Sequence, residues 1–244
     1  MKKIMFSEQY GLQQAVLEGR KTMTRRALPK RVQAVLDAYT TGVCVVPESA
    51  IPCGMSIEEF AEQFAKYPGK VIITHKDEKV SFTPSKLEVY KMMLEYSTYK
   101  VGDVVAVAQR YSELSWDKTF YESLKPLCNG GRLPQYCLKG WDNKMFVRAE
   151  LMPHRIRITN VRIERIQDIS DEDCIKEGIY VSDTMTKFRV RNGYSPQCAN
   201  DQKEQKMWYT SPRQAFAALI QKLSGKKAWG DNPCVFVYEF ELVQ

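Results

Sequence analysis

The C-terminal segment Cys234-Val235-Phe236-Val237-Tyr238-Glu239-Phe240-Glu241-Leu242 alternates cleanly along its length. Side chains repeat every two residues along a strand, so this pattern specifies a sheet strand rather than a helix. One strand cannot stand alone in water. Partners are predicted at 20–26, 102–108, 145–150 and 155–166, the last long and kinked near Asn160. These strands are short, mostly antiparallel candidates interrupted by helices. The pattern predicts an α+β fold, a small mixed or antiparallel β-barrel flanked by helices and enlarged by α/β insertions.

With 244 residues, 44% of them hydrophobic, the chain has material for one large core. One domain over 1–244 is expected, with an insertion at 28–100 and a polar loop insertion at 180–210. The insertion reads as helices at 30–39, 56–67 and 85–96, a strand at 43–46 and a hairpin over 71–82. Residues 112–143 read as irregular, anchored by Trp116 and Trp141. Ser211-Pro212 opens a helix to about 223, and Trp229-Gly230-Asp231-Asn232-Pro233 forms a rigid loop before the last strand.

No apolar run approaches the roughly 18 residues of a membrane span, and the N-terminus lacks the long apolar region of a signal peptide. A cytoplasmic protein with no membrane partner is expected. The seven cysteines contain no Cys-x-x-Cys, and only His75 and His154 could join them as soft ligands. Reduced thiols, no metal and no cofactor are the expectation.

The formal charge of +7 suits a polyanionic partner, and its distribution is uneven. Arg20, Lys21, Arg25, Arg26, Lys30 and Arg31 fall within twelve residues, and Arg148, His154, Arg155, Arg157, Arg162 and Arg165 form a second group. They are either solvated strand and turn faces or a surface for nucleic acid. The first group follows a predicted helix, 6–18, with Ser7 as its cap and Gly19 at its left-handed stop. Lys-Thr-Met-Thr-Arg-Arg then reads as a strand, so a helix stop delivers a lysine, two hydroxyls and several arginines to one small region.

A second helix is expected over 168–178, capped by Ser170, with acids in its first turn and Gly178 at its end. Glu177 lies in its last turn, where the helix dipole disfavours a carboxylate. It is either exposed at small cost or held beside cations or a substrate.

These pieces resemble the ASCH-domain branch of the PUA-like barrels. The family signature Gly-x-Lys-x-x-Glu-x-Arg is similar to Gly19-Arg20-Lys21-Thr22-Met23-Thr24-Arg25-Arg26, with Thr24 in place of the glutamate. The Gly-Arg-Lys-Thr-x-Thr form looks like that of phage- and prophage-type members and of bacterial N4-acetylcytidine amidohydrolases. Further matches are Gly102-Asp103, Met152-Pro153, Asp168-Ile169-Ser170…Glu177-Gly178 and Trp229…Asn232-Pro233, together covering about half the chain. The resemblance implies a PUA-like barrel with a cleft for RNA or a modified nucleoside. It also implies a catalytic lysine, threonine and glutamate at Lys21, Thr24 and Glu177. Threonine needs an activating base, which a desolvated Lys21 could supply, and Glu177 could pass a proton to the leaving amine.

Residues 21 and 24 point to opposite faces of a regular strand. Lys21 must therefore belong to the turn after Gly19, or the strand must bulge. Three activities are compatible with these residues: hydrolysis of an amide on a modified pyrimidine nucleoside, non-catalytic binding of RNA or single-stranded nucleic acid, and RNA cleavage. For ligand binding the candidates are Arg20, Arg25, Arg26, Arg110, Tyr111, His154, Arg155, Trp229 and Asn232, with arginines on phosphates and Tyr111 or Trp229 stacking on bases.

Overall fold

The computed structural model describes residues 1–46, 48–63, 69–75, 78–82, 86–182, 193–195 and 209–243. In chain order the elements are β1 (Lys2–Ile4), α1 (Leu12–Leu17), β2 (Met23–Ala27), α2 (Lys30–Thr41), β3 (Val43–Val46), α3 (Ile57–Glu62), β4 (Lys70–His75), β5 (Glu78–Phe82), α4 (Lys86–Leu94) and β6 (Val104–Val107). There follow α5 (Tyr111–Leu114), α6 (Lys118–Leu124), α7 (Pro134–Cys137), β7 (Arg155–Arg165), α8 (Asp171–Lys176), β8 (Tyr180–Ser182), β9 (Gly193–Ser195), α9 (Pro212–Ser224) and β10 (Cys234–Val243). The fold is mixed α+β.

β10 is central. It runs antiparallel to both β7 and β2 in a five-stranded sheet of order β1-β6-β7-β10-β2, with β1 parallel to β6. Glu239 pairs with Asn160 and Phe240 with Ile158, so Thr159 is an extra residue on β7, a bulge at the kink expected near Asn160. Four strand spacings would put the edges of a flat sheet about 19 Å apart, yet Arg26 on edge strand β2 donates to the carbonyl of Met5, just beyond edge strand β1, at 2.6 Å. The sheet is therefore tightly curled. It is not the closed barrel expected: β1 and β2 do not pair, and a side chain crosses the gap.

One expected barrel strand, 145–150, is instead a pair of 3₁₀ turns, Lys144–Phe146 and Ala149–Leu151. Its backbone is consumed by side chains: the Lys3 ammonium takes the carbonyls of Met145 and Val147, and the N–H of Arg148 donates to the Tyr111 hydroxyl. The first helix is also shorter than expected. Gly11, left-handed at φ +65°, precedes it in place of a Ser7 side-chain cap, while the Ser7 carbonyl accepts from Leu12 and Gln13.

The concave core joins Met23, Ile156, Ile158, Phe236, Tyr238 and Phe240 of the sheet to Val16 of α1 and to Phe216, Leu219 and Ile220 of α9. The 28–100 segment contributes Val32 and Leu36 of α2 and Val89 and Met93 of α4 to this core. Its own three-stranded sheet, β3-β4-β5, closes over a small cluster of Phe60, Val71 and Ile73. The expected box at Ser56 and Glu59 is made reciprocally at 3.0 and 3.1 Å.

Residues 108–152 form a helical cap around Tyr111, Leu124 and Met152; Trp141 packs there, but Trp116 is 84% exposed and stands outside that cluster. Cys128 and Cys137 are disulfide-bonded, against the expectation of reduced thiols throughout; a nine-residue separation carries no motif. Of the polar insertion expected at 180–210, β8 and β9 pair antiparallel, and 183–192 and 196–208 lie outside the described residues. Among the described residues no helix is long and apolar enough to cross a membrane, and no metal-ligand cluster occurs.

Candidate functional site

Gly19 ends α1 in the left-handed region at φ +72°, and the chain then reverses. The N–H of Lys21 donates to Ala15 O and that of Thr22 to Lys176 O, both at 2.9 Å. Residues 20–22 are thus a connector laid across the end of α8, and β2 begins only at Met23. This removes the alternation conflict. Lys21 belongs to the turn, and it and Thr24 line one pocket.

α8 brings the carboxylate. Ser170 caps its start, its hydroxyl accepting from Asp173 N–H at 3.1 Å, and Glu177 is its C-terminal cap residue. Gly178 follows at φ +96°. There a side chain would be strained, and a Cβ would sit 3.5 Å from the Lys21 stem.

Lys21 Nζ donates to Glu177 Oε2 at 2.6 Å, Glu177 O at 2.7 Å and Met23 O at 2.7 Å. All three ammonium protons are therefore committed. Arg25 Nη1 takes the other Glu177 oxygen at 3.1 Å, and its remaining nitrogens reach Glu164 and Asp173. Arg162 shares these last two carboxylates at 3.0 and 2.7 Å and also pairs with Glu239. Cations and carboxylates alternate, so most of the local charge is cancelled internally.

Lys21 is 2%, Glu177 4% and Thr24 5% exposed. Burial lowers the Lys21 pKa, and the neighbouring Glu177 only partly offsets this. Among the described residues no hydrogen bond engages the Thr24 hydroxyl. Lys21, Thr24 and Glu177 line a pocket of about 330 Å³ with Arg25 and Arg26. Its apolar walls come from Phe6, Leu12 and, on α9, Phe216, Leu219 and Ile220.

The other candidate residues lie elsewhere. Arg20 pairs with Glu18 at 2.5 Å on the surface. Arg110 is held by Glu8 at 2.5 Å and Glu113 at 2.8 Å. Tyr111 is a core residue: it is 2% exposed, its hydroxyl accepts from Arg148 N–H at 2.8 Å, and Gly140 lies flat against its ring. It has no free face for a base.

His154 and Arg155 sit at the entry to β7, with the carbonyl of His154 accepting from Val107. Trp229 packs edge-on against Phe216 at 6.1 Å. Asn232, at φ +44°, receives the N–H of Gln167 on its side chain at 3.0 Å. These two fasten the 229–233 loop, and none of the six residues from Arg110 to Asn232 lines the pocket.

Glu164, Asp173 and the α9 wall were not among the sequence candidates, and Arg162 stood there only as a member of the second basic group. Arg162 and Glu164 share a strand face at i, i+2, and Asp173 precedes Glu177 by one helical turn. Those spacings were available signals. No family model, curated protein or solved structure matches this chain.

Proposed function

We propose that this chain binds a nucleoside-like molecule in the Lys21–Thr24–Glu177 pocket and hydrolyses an exocyclic amide on it, as a PUA-like, ASCH-type protein whose barrel is left open between β1 and β2. The observation that carries this reading is the convergence of residues 21 and 177. They form a buried 2.6 Å pair beside a threonine hydroxyl that no hydrogen bond engages among the described residues.

At about 330 Å³ the pocket is at the small end of ligand sites, which run from about 300 to 1,000 Å³. That favours a small ligand over a polymer lying in a groove. The pairing of Arg20, Arg25 and Arg110 with carboxylates likewise leaves little of the cationic cluster for RNA phosphates.

The pair can serve as base and acid together. With its three protons committed, the ammonium has no lone pair to offer. Moving one proton from Lys21 to Glu177 gives an amine and a carboxylic acid at no net cost in protons, and desolvation of the ammonium, which lowers the Lys21 pKa, lessens the penalty for that transfer. The amine then removes the Thr24 proton while Oγ1 attacks the acyl carbon. The carbon–nitrogen bond breaks as Glu177 protonates the leaving amine. Lys21 is then the ammonium and Glu177 the carboxylate, so Glu177 takes a proton from water as its oxygen attacks the threonine ester, and Lys21 returns its proton to the departing Oγ1, which releases a carboxylic acid and regenerates the hydroxyl.

Purified protein and Lys21→Ala are incubated with N4-acetylcytidine, and acetyl loss is followed by chromatography. Turnover by wild type that disappears in a folded variant is expected; a wild type with no turnover dismisses the hydrolytic reading. Binding of RNA is the second reading, favoured by the exposed Arg155 and Arg157 on β7, and would appear as oligonucleotide affinity that falls with salt.

A further inference from the structure

Within the cation cluster one residue is unlike its neighbours. Lys21, Arg25 and Arg162 each have a carboxylate partner. Arg26 has none among the described residues. One of its nitrogens donates to the Met5 carbonyl at 2.6 Å, and its guanidinium lies 5.5 Å over the Phe6 ring. Its Nε is buried without a hydrogen-bond partner. Buried polar groups are almost always satisfied, so an orphaned donor on a charged group indicates a missing acceptor. Burial also lowers the Arg26 pKa, with Tyr99 and Glu177 opposing that only in part.

Arg26 is also a wall shared by two cavities. On one side is the 330 Å³ pocket; on the other is a space of about 160 Å³ lined with Thr98, Tyr99 and Tyr238. Thr24 and Arg26 lie two residues apart on one face of β2, about 7 Å along the strand. A single ligand can therefore meet both the reacting hydroxyl and the Arg26 guanidinium. The geometry points to Arg26 as the recognition residue for a phosphate monoester on the ligand, so that the substrate is a nucleoside monophosphate rather than a neutral nucleoside.

This inference rests on the pocket being the ligand site proposed above. Phosphate suits the position better than carboxylate. A carboxylate presents two oxygens, which the guanidinium alone can saturate, whereas a phosphate presents a third to the hydroxyl-bearing wall.

The test is calorimetric titration of the full chain with CMP, cytidine and inorganic phosphate, for wild type and Arg26→Gln. CMP should bind at least about tenfold more tightly than cytidine, the scale of one hydrogen bond to a charged group. Arg26→Gln should erase that preference. Equal affinities for CMP and cytidine, a preference that survives Arg26→Gln, or no binding of any of the three overturns the proposal. Inorganic phosphate binding as tightly as CMP overturns the nucleotide assignment.

Because Arg26 is part of the sheet, thermal melting of wild type provides a reading that needs no variant. CMP should raise the melting temperature more than cytidine does, and the excess should shrink with added salt. The N4-acetylcytidine assay is independent of these titrations. A CMP preference without deacetylation would retain the phosphate site and discard the hydrolase, and deacetylation without a CMP preference would do the reverse.

Discussion

Replacing Glu177 by glutamine removes one charge and almost no volume from the buried pair. Two cations rest on Glu177, but unequally: Arg25 would keep Glu164 and Asp173, whereas Lys21 would keep only neutral oxygen acceptors. Removing one partner of a buried pair costs about 3–5 kcal/mol. Lys21 can limit this loss by folding as the neutral amine. Its ordinary pKa of 10.5 lies about 3.5 pH units above pH 7, and at about 1.4 kcal/mol per unit deprotonation sets a ceiling of about 5 kcal/mol. Once the folded variant holds a neutral Lys21, the unfolded chain binds one proton more. Stability then rises with pH by about 1.4 kcal/mol per unit until the ordinary pKa is reached. The wild-type Lys21 pKa is also lowered, so wild type gains in the same direction, but Glu177 delays the gain to higher pH. The gap between wild type and Glu177→Gln should therefore narrow from pH 7 to pH 9. Urea unfolding at pH 7, 8 and 9 measures it, and in Lys21→Met/Glu177→Gln, with no group to titrate, the gap should not narrow. A gap for Glu177→Gln that stays constant across this range, or one below about 1 kcal/mol at pH 7, refutes the dependence of Lys21 on Glu177.

Burial lowers the His154 pKa from 6.5, so the folded state takes up that proton less readily than the unfolded chain. Stability from this group is intact above pH 6.5 and lost as pH falls toward the lowered value; His154→Gln should lose less stability than wild type between pH 7.5 and pH 5.5 in urea titrations. Gly178→Ala places a Cβ at ordinary contact distance from Leu12 and Lys21, leaving the φ of +96° as the cost, about 1–2 kcal/mol, read as a lower melting temperature. Ser211→Ala removes the hydroxyl that accepts from Gln214 N–H at the start of α9; about 1 kcal/mol should be lost by the same measurement.

What could be read in advance followed from local rules. β7 alternates between exposed and buried over Arg155–Ile158, whereas β10 is buried at every position from Cys234 to Tyr238; α8, α9 and the Ser56 turn carry side-chain caps three residues from their targets, so short-range chemistry fixes them. The site was legible to the extent that it consists of two helix stops, Gly19 and Gly178, each beside a charged residue. Long-range consumption of the backbone was not legible. Nothing local says that Lys3 takes the carbonyls of Met145 and Val147 and so deletes a strand. Nor does composition separate arginines bound by carboxylates from those facing solvent: Arg20, Arg25 and Arg26 look alike in sequence, yet one is on the surface, one is buried among three carboxylates and one has no carboxylate partner among the described residues.

The 28–100 segment, expected from the sequence to be an insertion, bears on the same pocket. After α4 the chain passes through Ser97-Thr98-Tyr99, where the Tyr99 hydroxyl donates to Lys3 O at 2.9 Å and Thr98 N–H donates to the Tyr238 hydroxyl at 3.2 Å. These bonds tie the end of the insertion to β1 and β10 and place Thr98 and Tyr99 across from Arg26. Without that wall the guanidinium would face water, where a single charge pair at 4 Å is worth only about 1 kcal/mol; in a partly desolvated setting the same contact is worth several times more. The insertion thus raises the cost of leaving Arg26 unpaired and, by the same amount, the gain on meeting an anion. Tyr99→Ala should on this basis weaken CMP more than cytidine in the titrations above, and an equal loss for both would mean that the insertion only supports the sheet.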